Sequence, residues 1–248
     1  MPARRPAAAR VTAAAPADSP ALRALFPAGV VAAELHGPGD VSLLHPDEIA
    51  CVVHAVSARA GEFAAGRLCA RRALAQLGIV DFPLRMAADR SAVWPPTVVG
   101  SISHTAGYCG AVAGERAKFG GLGLDTEVVA AVGAQLWPRL CAPLELTRLH
   151  ALPAAHRPRA AALMFSAKEA FYKAQYPLLG ARLEFDDVMI EAACPDAGLD
   201  SRADGGSGEF TVIAGEAVAL RLSGQRLRGR YRFHDGFVSA GIALLSGR

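Results

Sequence analysis

With 248 residues, 52% of them hydrophobic and 20% charged, the chain is long and apolar enough to bury a sizeable core and is not a disordered polymer. A formal net charge of +3 is mildly basic. That suits an anionic small ligand or an acidic protein partner and falls short of a nucleic-acid-binding surface, for which no motif is present either. Five cysteines (Cys51, Cys69, Cys109, Cys141, Cys194) stand without a C-x-x-C pair or zinc spacing. This points to small buried side chains in a reducing compartment, the cytoplasm, rather than to a disulfide framework.

In chain order, residues 1–25 are expected to form a flexible leader, rich in Ala, Pro and Arg. Prolines interrupt its apolar runs before a secretory signal could form, and a transit-type composition is the alternative. No run of ~20 apolar residues is present that could span a bilayer. Phe63, Arg67, Ala70, Leu74 and Leu77 recur at helical period over residues 60–77, with Gly78 placed to end the helix. Residues 98–113 read as strand, turn, strand around Gly107 and Gly110, and Gly120-Gly121 punctuates entry into a strand over 122–125. A second helix is expected over 159–176, stopped by Pro177. Beyond Phe185, strands are expected over 210–213, 217–222, 227–233 and 237–245, with a loop over 194–208 and a hairpin turn at His234-Asp235-Gly236. The run from His234 to Phe237 echoes His104 to Tyr108 only faintly, too little to establish a repeat.

Asp125 and Glu127 stand two apart at the end of an apolar run, so on a strand both carboxylates project from one face. Phe165, Glu169 and Lys173 recur every four residues, which lays a ring, a third carboxylate and an ammonium along one helical stripe. Taken singly, an acidic pair after a strand is an ordinary solvated turn, and Glu169 with Lys173 an ordinary helix ion pair. Together, three carboxylates and a lysine can hold a hard divalent ion and the phosphates it bridges.

The segments Gly-Leu-Gly-Leu-Asp-Thr-Glu ending at Glu127 and Phe-Ser-Ala-Lys-Glu-Ala-Phe-Tyr-Lys from Phe165 to Lys173 resemble the (V/I)G(V/I)D-x-E and (F/W)-x-x-KEA-x-x-K motifs of the 4′-phosphopantetheinyl transferases, most closely the enterobactin synthase component D type. Phe165 stands where tryptophan is often found. Gly100-Ser101-Ile102-Ser103-His104 resembles the family's G-S-(I/L)-(S/T)-H segment, and residues 62–71 its E-F-x-x-x-R-x-x-A-R helix. The resemblance runs in order from about Arg59 to Phe185. It implies an α+β fold of two similar halves related by a pseudo-twofold axis, with the site in the cleft between them. We divide the chain accordingly into 26–127, with the phosphate helix and metal strand, and 128–248, with the KEA helix and C-terminal strands.

The resemblance further implies transfer of 4′-phosphopantetheine from coenzyme A to a serine of an acidic acyl or peptidyl carrier protein, by a monomer, with release of adenosine 3′,5′-bisphosphate. Asp125, Glu127 and Glu169 would hold Mg²⁺, with Mn²⁺ as an alternative. Lys173 would stabilise charge on the leaving phosphate, and Glu169, directly or through a water, would accept the serine proton. His104, Ser103, Arg67 and Arg71 would bind coenzyme A phosphates, with Arg59 and either Arg85 or Arg90 completing the shell, and Lys168 would either contact the diphosphate or close the helix surface. Planar guanidinium groups suit this task, and two arginines four apart on a helix repel each other unless an anion joins them. Two other readings are a metal-dependent phosphohydrolase and a non-catalytic carrier-binding module. The first leaves the arginine helix unexplained, and the second predicts loss of a metal carboxylate. The pathway served, whether fatty-acid, polyketide, siderophore or peptide synthesis, is left open.

Overall fold

Two long helices, each laid on an antiparallel sheet, organise the residues that the computed structural model describes: 14–192, 205–222 and 227–247. The first sheet has the order β1-β2-β4-β3. Its elements are β1 (Ala17–Asp18), α1 (Pro20–Arg23), β2 (Val30–His36), α2 (Pro46–Ile49), the long α3 (Ser57–Gln76), β3 (Val98–Thr105) and β4 (Tyr108–Glu115). The second sheet has the order β5-β9-β8-β7-β6. It comprises β5 (Phe119–Val128), α4 (Trp137–Leu140), α5 (Pro143–Ala151), the long α6 (Arg157–Leu179), β6 (Val188–Ala192), β7 (Ser207–Ala214), α7 (Glu216–Arg221), β8 (Arg228–His234) and β9 (Phe237–Leu245).

Burial on alternate faces explains the layering. On β2, Ala33 and Leu35 pack under α3 with Ala70 and Leu74, while Val30 and Ala32 face the other way. On the second sheet, Tyr231, Phe233 and Ile242 pack with Phe171 and Ala174 of α6. The faces left over meet each other: Val30, Ala32 and Val112 bury against Leu122 and Leu124, with Leu22 and Phe26 filling the gap. The result is an α+β fold layered helix, sheet, sheet, helix. Each sheet also contains a two-residue hairpin, β3–β4 and β8–β9, whose second turn residue is a glycine at positive φ, Gly107 at 76° and Gly236 at 78°.

Several expectations are corrected by tertiary packing. Residues 1–13 of the expected leader lie outside the described residues, but Ala17–Asp18 pair with β2, and Leu22, Leu25 and Phe26 are buried. These three apolar side chains fill the space between the sheets, so the leader does not extend to residue 25. The metal strand, assigned to the first half, pairs along its length with β9 (Asp125 opposite Ala240) and so belongs to the second sheet. A pairing between residues so far apart in sequence leaves no local signal. Helix α6 runs through Pro177 to Leu179 and ends at Gly180 in the left-handed region (φ 60°). Pro177 lies in its last turn and removes only one N–H there. Residues 217–222, expected as a strand, lie mainly in helix α7 with Leu222 capping it; Val218 and Leu222 are buried four apart while Leu220 is exposed. Six residues are too few to separate the two periods. The expected loop over 194–208 lies outside the described residues up to 204, and β7 begins within it at Ser207.

Candidate active site

Alternation on β5 places Gly121, Gly123, Asp125 and Glu127 on the face turned toward α6. A Cβ at Gly121 or Gly123 would overlap the carbonyl oxygens of Ala174 and Ala170. The glycines therefore let the helix lie on bare backbone, and the alanines let the strand approach it. Farther along the strand, Ser166 Oγ donates to the Asp125 carbonyl at 3.1 Å. This close contact brings Glu169 and Lys173 to the carboxylate pair. Lys173 Nζ donates to Asp125 Oδ1 at 2.7 Å and to the Leu124 carbonyl at 3.3 Å.

The other wall is β3, the edge of the first sheet, which runs beside β5, the edge of the second. Its alternate serines seal the seam. Ser101 Oγ accepts from Leu124 N, and Ser103 Oγ accepts from Thr126 N, both at 3.0 Å, which satisfies edge N–H groups that no strand pairs. Ser103 Oγ in turn donates to Asp125 Oδ1 at 3.1 Å. Asp125 is 3% exposed; Oδ1 is held by a lysine and a serine, while Oδ2 is buried with no partner.

Burial, reinforced by the Asp125 charge and opposed by Lys173, pushes the Glu127 carboxyl up to about 7. Burial and the same aspartate also raise Glu169. Among the described residues no three acidic, histidine or cysteine side chains converge into a ready ligand set. These three carboxylates instead repel one another around a single ammonium. An oxygen-only donor set with an orphaned buried carboxylate oxygen fits a hard cation such as Mg²⁺.

At the far end of β3, Arg59 Nη1 lies 3.1 Å from His104 Nε2 and 3.0 Å from Glu62 Oε2. A guanidinium only donates, so Nε2 of His104 is unprotonated. Partial desolvation and the Arg59 charge hold its pKa below the usual histidine value. Arg67 is buried, its Nε donating to the Leu84 carbonyl at 3.0 Å and its guanidinium lying over the Phe63 ring, while Nη2 is buried without a partner. Arg90 is exposed at the tip of the 86–92 turn, in the left-handed region (φ 71°).

Two basic residues expected to meet phosphate are engaged elsewhere. Arg71 pairs with the buried Glu48 and donates to the Leu43 carbonyl. Lys168, with its side chain 1% exposed, donates to Glu145 Oε2 (2.6 Å), the Leu140 carbonyl (3.0 Å) and the Phe185 carbonyl (2.6 Å). A buried glutamate holds each, and the three ammonium protons of Lys168 are all engaged. Ser103 is likewise occupied at both its donor and acceptor sites. Sequence reasoning missed Glu48 and Glu145, although each follows a helix-starting proline by two residues, the third helical position from which a glutamate reaches back to cap. Beside Glu169, a cavity of about 250 Å³ is walled by Phe171, Tyr172, Arg182, Leu183 and Phe185.

Residues 47–114 match the family model of the 4′-phosphopantetheinyl transferase N-terminal domain, and residues 121–207 that of the 4′-phosphopantetheinyl transferase superfamily. The chain is 38% identical over 232 residues to the 4′-phosphopantetheinyl transferase Svp of Streptomyces mobaraensis, covering 90% of this chain and 89% of that protein. It is 32% identical to Npt of Nocardia iowensis (90% and 99% covered) and 34% identical to PptT of Mycobacterium tuberculosis (80% and 85%), both also 4′-phosphopantetheinyl transferases. A solved holo-[acyl-carrier-protein] synthase of Thermotoga maritima aligns with 52% of this chain and 64% of its own at 22% identity, with a TM-score of 0.35.

Proposed function

This chain belongs to the 4′-phosphopantetheinyl transferase superfamily and transfers phosphopantetheine to carrier proteins, and we propose that it does so in the cleft where β5 meets α6 and β3. Coenzyme A is the donor, a serine hydroxyl of an acidic carrier protein the acceptor, and adenosine 3′,5′-bisphosphate the leaving product. The observation that carries this reading is Asp125, held by Lys173 and Ser103 on one oxygen and unpartnered on the other, beside two carboxylates whose pKa values are raised.

Asp125, Glu127 and Glu169 would hold Mg²⁺, or Mn²⁺ in its place. When bound, the ion neutralises charge on the diphosphate. Lys173 reaches the same place from α6 and stabilises the leaving phosphate as negative charge builds on it. The carrier serine oxygen bonds to the phosphorus that bears the pantetheine arm, and the bond from that phosphorus to the bisphosphate side breaks. Glu169, made more basic by burial and by the Asp125 charge, takes the serine proton in its ionised form, directly or through a water. Arg67, with an unsatisfied buried N–H, takes the 3′-phosphate, and the neutral His104 with Arg59 lines the same side. The cavity beside Glu169, whose wall combines Phe171, Leu183, Phe185 and Val188 with charged groups, receives the uncharged pantetheine arm.

A phosphohydrolase would also use carboxylates and Mg²⁺ but would not need a second protein. The test is release of adenosine bisphosphate from coenzyme A with and without apo-carrier. Release only when carrier is present supports transfer, and equal release in its absence supports hydrolysis.

A further inference from the structure

The KEA lysine is fastened away from the reacting groups, and the fastening is built twice. In the second half, Glu145 Oε2 accepts from Ala142 N (2.8 Å) and from Lys168 Nζ (2.6 Å), while Oε1 accepts from Ile190 N (2.6 Å). In the first half, Glu48 Oε2 accepts from His45 N (2.9 Å) and pairs with Arg71, while Oε1 accepts from Leu84 N (2.9 Å). The cation also donates to the carbonyl of Leu140 in one half and of Leu43 in the other. In both, glutamate and cation stand 23 residues apart. A constant offset of 97 residues carries Leu43, Pro46, Glu48 and Arg71 onto Leu140, Pro143, Glu145 and Lys168. The repeat that the turn motifs only hinted at is thus written in a buried ion pair.

We propose that the Lys168–Glu145 pair is a positioning device for the transfer: it fixes the rotation of α6, and so aims Glu169 and Lys173 at Asp125. The proposal rests on the transferase reading of that site. Successive residues on a helix point about 100° apart, so drawing Lys168 toward α4, α5 and the loop that precedes β6 sets the direction of Glu169. The three ammonium protons meet three acceptors, so the stem has one satisfied orientation. One of those acceptors, the Phe185 carbonyl, belongs to the wall of the cavity beside Glu169, so the same lysine holds that wall to the helix. The first half shows that arginine fills the same place in the same device, with Arg72 and Gln76 standing at the positions of Glu169 and Lys173.

The test compares Lys168→Met, Lys168→Arg and Glu145→Gln in steady-state transfer, with coenzyme A affinity measured by calorimetry and Asp125→Asn assayed in parallel. Positioning predicts that Lys168→Met and Glu145→Gln each lower kcat at least tenfold, while the Kd for coenzyme A stays within threefold. Lys168→Arg should restore kcat to within threefold of the wild type. If Lys168→Met does not fold, Glu145→Gln carries the test alone, since Glu145 is buried and no phosphate role predicts any effect of changing it. A tenfold loss of coenzyme A affinity with unchanged kcat would make Lys168 a phosphate ligand and overturn the proposal. So would a fall in thermal midpoint with unchanged kcat, which marks a scaffold contact. Full activity in Asp125→Asn would overturn the site reading and the proposal with it, whereas inactivity there beside an unchanged kcat in Lys168→Met overturns the proposal alone.

Discussion

Lys173 reaches back from α6 to hold one oxygen of Asp125 at 2.7 Å, and the other oxygen of that carboxylate has no partner although it is buried. Removing the negative charge while keeping the shape, as in Asp125→Asn, leaves Lys173 without its counter-ion and would deprive the proposed Mg²⁺ of its most buried carboxylate. We predict a loss of transfer rate of at least a hundredfold with the fold retained, checked by carrier-modification kinetics beside circular dichroism. Glu169→Ala should behave alike.

Glu127 gives a prediction about pH. Its folded pKa, about 7, lies above the ordinary 4.5, so the native state favours the protonated form. Ionising it therefore removes stability as pH rises from about 4.5 to about 7. In metal-free protein, Glu127→Gln should raise the thermal midpoint at pH 8 and leave it unchanged at pH 4. Added Mg²⁺ should narrow the difference at pH 8 by stabilising the wild type more. An equal midpoint in both proteins at pH 8 would contradict the electrostatic picture.

The glycine face of β5 predicts that Gly123→Ala is damaging out of proportion to one methyl group. The new Cβ would meet the Ala170 carbonyl oxygen, which is backbone and can yield only if α6 moves. Overpacking of this kind costs about 1–3 kcal/mol. Denaturant unfolding should show that loss, and kcat should fall with it because α6 carries Glu169 and Lys173.

Arg67 and Arg71 looked alike in sequence, and the structure separates them. Arg67→Ala should weaken coenzyme A more than 3′-dephospho-coenzyme A, by about 1.5–3 kcal/mol for one hydrogen bond to a charged group. Arg71→Ala should instead strand the buried Glu48 carboxylate and cost about 3–5 kcal/mol of stability, with coenzyme A affinity preserved in the folded protein. Calorimetry with the two nucleotides and thermal unfolding distinguish these outcomes.

What the sequence made legible was whatever local spacing encodes. The period of Phe63 to Leu77 gave helix α3, an apolar run entered at Gly120-Gly121 gave β5, and His234-Asp235-Gly236 gave a hairpin whose Asp235 and Gly236 both adopt positive φ. Asp125, Glu127, Glu169 and Lys173 could be singled out because each pair sits within one element. Contacts between elements were hidden. Nothing local in Lys168 distinguishes a phosphate ligand from the partner of Glu145, 23 residues away, and nothing in Ser103 shows that it closes the seam between two sheet edges. The same blindness placed β5 in the first half, because its partner β9 is the last strand of the second sheet.

The most direct measurement is the intact mass of an apo-carrier protein after incubation with coenzyme A and Mg²⁺, with wild type, with wild type in excess chelator and with Asp125→Asn. The account predicts a gain of one phosphopantetheine arm on the carrier serine with the wild type, and none in the other two reactions. Full modification by Asp125→Asn, or in excess chelator, would contradict it.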